Sequence, residues 1–118
     1  GRGVPDVCSV GDPSTGCTIY MGSGTVPSAG TSAAAPLWAA FIACVNSKRA
    51  EPLGYVTPDL YDIFKKRGTT ALRGITEGHN DLDTDDGATW AAGPGWNPCG
   101  GLGSPVGSVL FAELVALE

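Results

Sequence analysis

A chain of 118 residues has room for one modest domain and not for two. Apolar residues make up 42% and charged residues 16% with no long biased tract, which excludes a disordered chain. The net charge of −5 leaves seven basic side chains and no basic stripe, so neither nucleic acid nor an anionic membrane surface is an expected partner.

Residues 4–10 read as a short strand that follows Gly1-Arg2-Gly3 with no signal peptide before it, so a processed product or a chain starting inside a longer one is expected. The run Gly11-Asp12-Pro13-Ser14-Thr15-Gly16 is a strong turn signal. Residues 18–21 form a second strand, rich in β-formers. After a turn at residues 22–24, Thr25-Val26 starts a third strand that leads to the corner Gly30-Thr31-Ser32.

A helix is predicted over residues 33–46, with Pro36 in its first turn, where a missing N–H costs little. It is apolar on every face and is expected to be buried on nearly all sides. So few strands remain to surround it that the chain reads as part of a larger α/β domain. The longest apolar stretch, residues 33–45, is thirteen residues long and too short to span a bilayer.

Gly54 marks a stop, and Thr57 is expected to cap a second helix with Pro58 at its first position and residues 59–66 as its body. Its two closing lysines suit the helix dipole. Residues 72–76 read as a strand and 77–103 as loop-rich. Ser104-Pro105 is expected to open a last helix running to Leu117. There is no internal repeat and no clear linker.

The four cysteines, Cys8, Cys17, Cys44 and Cys99, lack zinc-site spacing. Cys8 and Cys17 flank the first turn, which leaves open a disulfide across a hairpin or two free thiols. Cys44 is expected as a buried thiol in the apolar helix, and Cys99 as a free one in a glycine-rich loop.

Ser32 is the first candidate for chemistry. A serine between a strand end and a helix start lies where the dipole favours negative charge, and its own N–H can help hold an oxyanion. Local sequence leaves a second role open, a helix cap. Gly30-Thr31-Ser32-Ala33-Ala34 is also one residue from the nucleophile motif of α/β-hydrolases, which would require His79 as the base. His79, the only histidine, follows the serine, whereas a subtilisin-type triad runs Asp, His, Ser; it reads as a loop residue. The acidic run at residues 81–87 fails as an EF-hand, because Asp86 stands where glycine is required and Ala92 where glutamate is. Trp38, Trp90 and Trp96 read as packing residues.

Five separated motifs resemble the sedolisin family of serine-carboxyl peptidases, in that family's order. They are Arg2-Gly3-Val4-Pro5-Asp6-Val7; Gly30-Thr31-Ser32-Ala33-Ala34-Ala35-Pro36-Leu37-Trp38-Ala39-Ala40; Gly54-Tyr55 with Pro58, Leu60 and Tyr61; Ile75-Thr76 with Gly78; and Ala92-Gly93-Pro94-Gly95-Trp96-Asn97-Pro98 through Gly101-Leu102-Gly103-Ser104-Pro105. The resemblance implies the C-terminal portion of a subtilisin-like, three-layer α/β domain, with a mainly parallel sheet and a buried helix after the nucleophile. It implies an acid endopeptidase or tripeptidyl-peptidase, secreted or in an acidic compartment, acting on peptide or protein substrates. Carboxylates replace the histidine base in that family, and Ser32 is the one triad position present here. The expected partner is therefore an N-terminal part of the same peptidase, as a separate chain. A non-catalytic fragment or binding module of the same fold is the alternative.

The resemblance further implies a calcium site made of two aspartates and backbone carbonyls. The two aspartate positions are Gly74 and Asn97 here, so both carboxylates are gone. The carbonyls of Ile75, Gly93 and Gly95 and the neutral oxygen of Asn97 remain as the candidate calcium ligands. Calcium is not expected; hydrogen bonds and packing of Trp96 are expected to hold the loop instead.

Overall fold

Three leucines with no solvent exposure, Leu72, Leu110 and Leu114, mark where this chain closes on itself. Each such side chain is worth about 1.5–3 kcal/mol when fully buried. The computed structural model describes residues 1–81 and 90–117. It is a mixed α/β arrangement in which three helices and a short ribbon share the buried cluster.

The chain enters along an irregular arm and a single helical turn at Pro13–Thr15. A hairpin follows, β1 (Cys17–Met21) with β2 (Gly24–Ser28), paired antiparallel from Cys17 opposite Ser28 to Met21 opposite Gly24. Then come α1 (Thr31–Asn46), α2 (Thr57–Arg67), β3 (Leu72–Arg73), β4 (Ser104–Pro105) and α3 (Gly107–Val115). In the ribbon, Leu72 lies opposite Pro105 and Arg73 opposite Ser104. Gly103 must be glycine there: its φ is +113°, and a Cβ would lie 2.1 Å from the Arg73 carbonyl oxygen.

The core draws one stripe from each helix. Val45 comes from the last turn of α1, Leu60 and Ile63 from α2, and Leu110 and Leu114 from α3, with Ala71, Leu72 and Leu102 between them. The spacings of three and four residues place each helical pair on one face. Glu113 ties α2 to α3 through Lys66 at 2.8 Å and Arg67 at 2.6 Å. Arg49 caps the end of α3 by donating from Nη1 to the carbonyls of Leu114 (2.9 Å), Val115 (3.3 Å) and Leu117.

Several expectations change. Residues 4–10 are not a strand: Pro5 has no N–H, and among the described residues the arm makes only isolated backbone bonds, Leu102 N–H to Asp6 at 2.8 Å and Cys8 N–H to Gly103 at 3.1 Å. All four cysteines are free, and Cys17 lies opposite Ser28 rather than Cys8. Thr57 is the first residue of α2 and makes no capping bond, since Val56 precedes it as the cap. The predicted strand over 72–76 shortens to Leu72–Arg73, and Ser104-Pro105 joins the ribbon instead of opening the last helix. The acidic run at 81–87 lies, from residue 82 on, outside the described residues.

The largest correction concerns α1. It starts at Thr31, two residues early, and only Val45 is fully buried, while Leu37 is 46% exposed and Cys44 is exposed. The physical reason is the absence of a covering layer. Both sheets among the described residues are two-stranded and antiparallel, the first closed by a hairpin. The radius of gyration is 16.0 Å, against about 13.5 Å expected for a compact chain of this length. The hairpin and the start of α1 up to Leu37 contribute nothing to the cluster, whose first neighbour on that helix is Trp38. Among the described residues no helix is long and apolar enough to cross a membrane.

Leu110→Ala is expected to cost about 2–5 kcal/mol, read in chemical unfolding as a lower midpoint at unchanged slope. The hydrogen bonds from Lys66 and then Arg67 hold the Glu113 carboxyl below its ordinary value of 4.5. Its contribution is therefore complete above that value and lost as pH falls through the lowered folded pKa. Glu113→Gln should lower the melting temperature at pH 7, and the gap from the wild type should close in strong acid.

Candidate active site

The approach to Ser32 is built from short-range contacts. Asp12 caps the first helical turn, its Oδ1 accepting from Ser14 N–H at 2.8 Å. The hairpin then carries the chain out and back, and Gly30 N–H donates to the Gly11 carbonyl at 3.1 Å, closing the base of the excursion. Gly30 adopts φ +87° and ψ 179°, and its carbonyl accepts from Ala33 and Ala34 at 3.0 and 3.1 Å. That conformation turns the extended chain into α1 within one residue, and it belongs almost to glycine alone.

Gly30 is thus the cap, and Ser32 is the second residue of the helix proper. The Ser32 hydroxyl is exposed and makes no hydrogen bond with another described residue. Pro36 falls one turn deeper than expected, as the sixth residue of α1. Having no N–H, it leaves the Ser32 carbonyl without its usual partner four residues on. The N–H groups of Thr31 and Ser32 belong to the unpaired first turn, at the positive end of the helix dipole.

An open groove of about 340 Å³ runs past Ser32, lined by Cys17, Ile19, Ser28, Ala33, Pro36 and Leu37. Cys17 and Ile19 were not signalled by motif; the hairpin register places them there. Among the described residues no carboxylate or imidazole lines this groove. His79 is exposed, with Nδ1 3.4 Å from Asp81 Oδ2, and is not one of the lining residues, so the α/β-hydrolase arrangement is not formed.

A larger hollow of about 550 Å³ opens between Arg2, Trp96 and α2. Its charged groups are already partnered: Arg2 with Asp6, and Lys65 with Asp62 at 2.9 Å. The Arg2 guanidinium, followed by the Tyr61 hydroxyl at 3.0 Å, holds the Asp6 carboxyl below the usual aspartate range against the opposing effect of burial. Burial, then the bond to Asp6, pushes Tyr61 up, and burial raises the Cys8 thiol. These groups stabilise the arm, and none of them faces Ser32's groove.

The second candidate set does assemble. The Asn97 side chain is 5% exposed and meets the carbonyls of Ile75, Gly93 and Gly95 through its Nδ2 at 2.9, 2.8 and 3.4 Å. Its Oδ1 accepts from Cys99 and Gly100 N–H at 3.1 and 3.0 Å. Trp96 extends from the same loop to donate from Nε1 to the Pro5 carbonyl at 2.8 Å. Trp38 does the same to the Cys8 carbonyl at 3.0 Å, whereas Trp90 is 56% exposed.

No family model matches the chain. It is 44% identical over 115 residues to kumamolisin of a Bacillus species, which covers 98% of this chain and 20% of that protein. Aorsin of Aspergillus oryzae is 36% identical over 109 residues, 89% of this chain and 15% of that protein. A probable tripeptidyl-peptidase, SED3, of Trichophyton verrucosum is 34% identical over 116 residues, 89% of this chain and 19% of that protein. The chain spans about a fifth of these relatives' length or less.

Gly30→Ala is expected to cost about 1–3 kcal/mol through backbone strain alone, because a Cβ at this position meets no atom within 4 Å. Chemical unfolding of the variant checks the figure.

Proposed function

The chain belongs to the sedolisin family of serine-carboxyl peptidases, and on that premise we propose that it supplies the nucleophile, Ser32, of a peptidase acting at acidic pH. The observation that carries the reading is the capping arrangement. Gly30 ends the approach and caps α1, so the Ser32 hydroxyl is not engaged in capping and stands exposed at the helix's positive end, beside an open groove.

In the proposed reaction the Ser32 oxygen attacks the substrate's peptide carbonyl carbon, and its proton passes to a carboxylate base. The C–O bond that forms leaves an oxyanion, toward which the Ser32 N–H can donate. Collapse breaks the C–N bond, the protonated carboxyl returns the proton to the leaving amine, and water then releases the acyl group from Ser32. A carboxylate stays ionised in acid, where a histidine would be protonated and useless as a base. No such carboxylate lines the groove among the described residues, so the base is assigned to an N-terminal part of the same peptidase, as a separate chain or as preceding sequence.

The same part is proposed to complete a subtilisin-like three-layer domain whose mainly parallel sheet covers α1. The exposed apolar side chains of Ile19 and Leu37 at the groove support this reading. Peptide or protein substrates, and secretion or an acidic compartment, go with it.

In the protein as naturally produced, Ser32→Ala should lower peptide cleavage at acidic pH by roughly 10,000-fold or more, with the melting temperature kept. Cleavage that survives in a folded Ser32→Ala protein overturns the assignment.

A further inference from the structure

Asn97 separates two sets of backbone groups that its own amide reconciles. On one side the carbonyl oxygens of Ile75, Gly93 and Gly95 converge, and on the other the N–H groups of Cys99 and Gly100 point inward. The orientation of the carboxamide follows from these partners. Turned by half a revolution, it would set an oxygen against three oxygens and an NH2 group against two N–H donors, losing every bond. With 5% of the residue exposed, water cannot make good such a loss.

Three convergent carbonyl oxygens are the kind of donor set a calcium ion takes, usually with added carboxylate charge. The residues present do not fit the ion. Gly74 contributes no side chain, Asn97 is neutral, and the positive end of its amide already faces the three oxygens. Among the described residues no group of three or more His, Cys, Asp or Glu is placed to hold a metal.

We propose that the Asn97 carboxamide stands in this loop in place of a calcium ion, as a covalently attached positive pole that makes the loop independent of divalent cations. Its two N–H groups serve the carbonyls of Ile75 and Gly93 and lie near that of Gly95, while its oxygen organises the turn at residues 97–101. That turn carries Leu102 into the core and Trp96 to the arm. A calcium site that depends on carboxylates loses its ligands as they protonate in acid. An amide does not titrate, so the loop keeps its centre at any acidity.

The same geometry says what aspartate would do at this position. One carboxylate oxygen could still accept from Cys99 and Gly100, but the other would face three carbonyl oxygens and require a cation between them. Asn97→Asp should therefore create a requirement for calcium, and adding Gly74→Asp should strengthen the binding.

The test is thermal unfolding of the protein as naturally produced, in EDTA and in millimolar calcium, and its readout does not depend on peptidase activity. The wild type should melt at the same temperature in both. Asn97→Asp should melt several degrees lower in EDTA and recover in calcium, and Asn97→Ala should be lowered equally in both. Asn97→Asp as stable in EDTA as the wild type overturns the proposal, as does a calcium-induced rise in the wild type that Asn97→Ala abolishes. Should the single variants not fold, the Gly74→Asp/Asn97→Asp protein decides: folding only with calcium supports the proposal, and folding in EDTA overturns it.

Discussion

Burial of one end of α1 is the constraint on which the rest of this structure depends. Val45, in its last turn, belongs to the cluster that α2, α3 and the β3–β4 ribbon form, and it is the helix's one fully buried residue. It lies thirteen positions along the helix from Ser32, about 20 Å at 1.5 Å per residue. The nucleophile candidate is thus carried on a rigid rod anchored at its far end. Its near end is positioned by the Gly30 corner and by the bond that ties Gly30 to Gly11.

That arrangement leaves the helix with an apolar surface that its own chain does not cover. Leu37 and the hairpin residue Ile19 line the groove that holds Ser32 and remain exposed. A helix apolar all round is stable in water only when layers surround it. The proposed missing sheet and the proposed missing base therefore answer one deficiency, since both would approach the same side of α1.

Away from the groove, the charged groups work as fasteners. Glu113 is held ionised by Lys66 and Arg67 and joins two helices, and Asp6 is held ionised by Arg2 and accepts from Tyr61. Because both carboxyls are held below their ordinary values, these links last further into acid than ordinary carboxylate pairs would. Asn97 goes a step further by using an amide, where no protonation can intervene.

Much of this was legible in residue order. The apolar run of α1, the amphipathic α2 with its terminal basic residues, the turn before the hairpin and the motif around Ser32 are local signals, set by side-chain type and spacing. So were Gly74 and Asn97, the two loop positions where the family resemblance implies aspartates. Contacts between distant segments were not legible. The arm at residues 4–10 has strand-like composition, yet Pro5 and the lack of a continuous partner keep it irregular. Ser104-Pro105 looks like a helix start until β3 claims it across thirty intervening residues. By itself the sequence determined the helices, the family resemblance and the identity of the candidate nucleophile. Only the tertiary structure decided that Gly30 caps α1 in place of Ser32, and that the Asn97 amide points its protons at three carbonyls. Hydrogen-bond partners brought together by folding are set by geometry in space, which spacing along the chain does not encode.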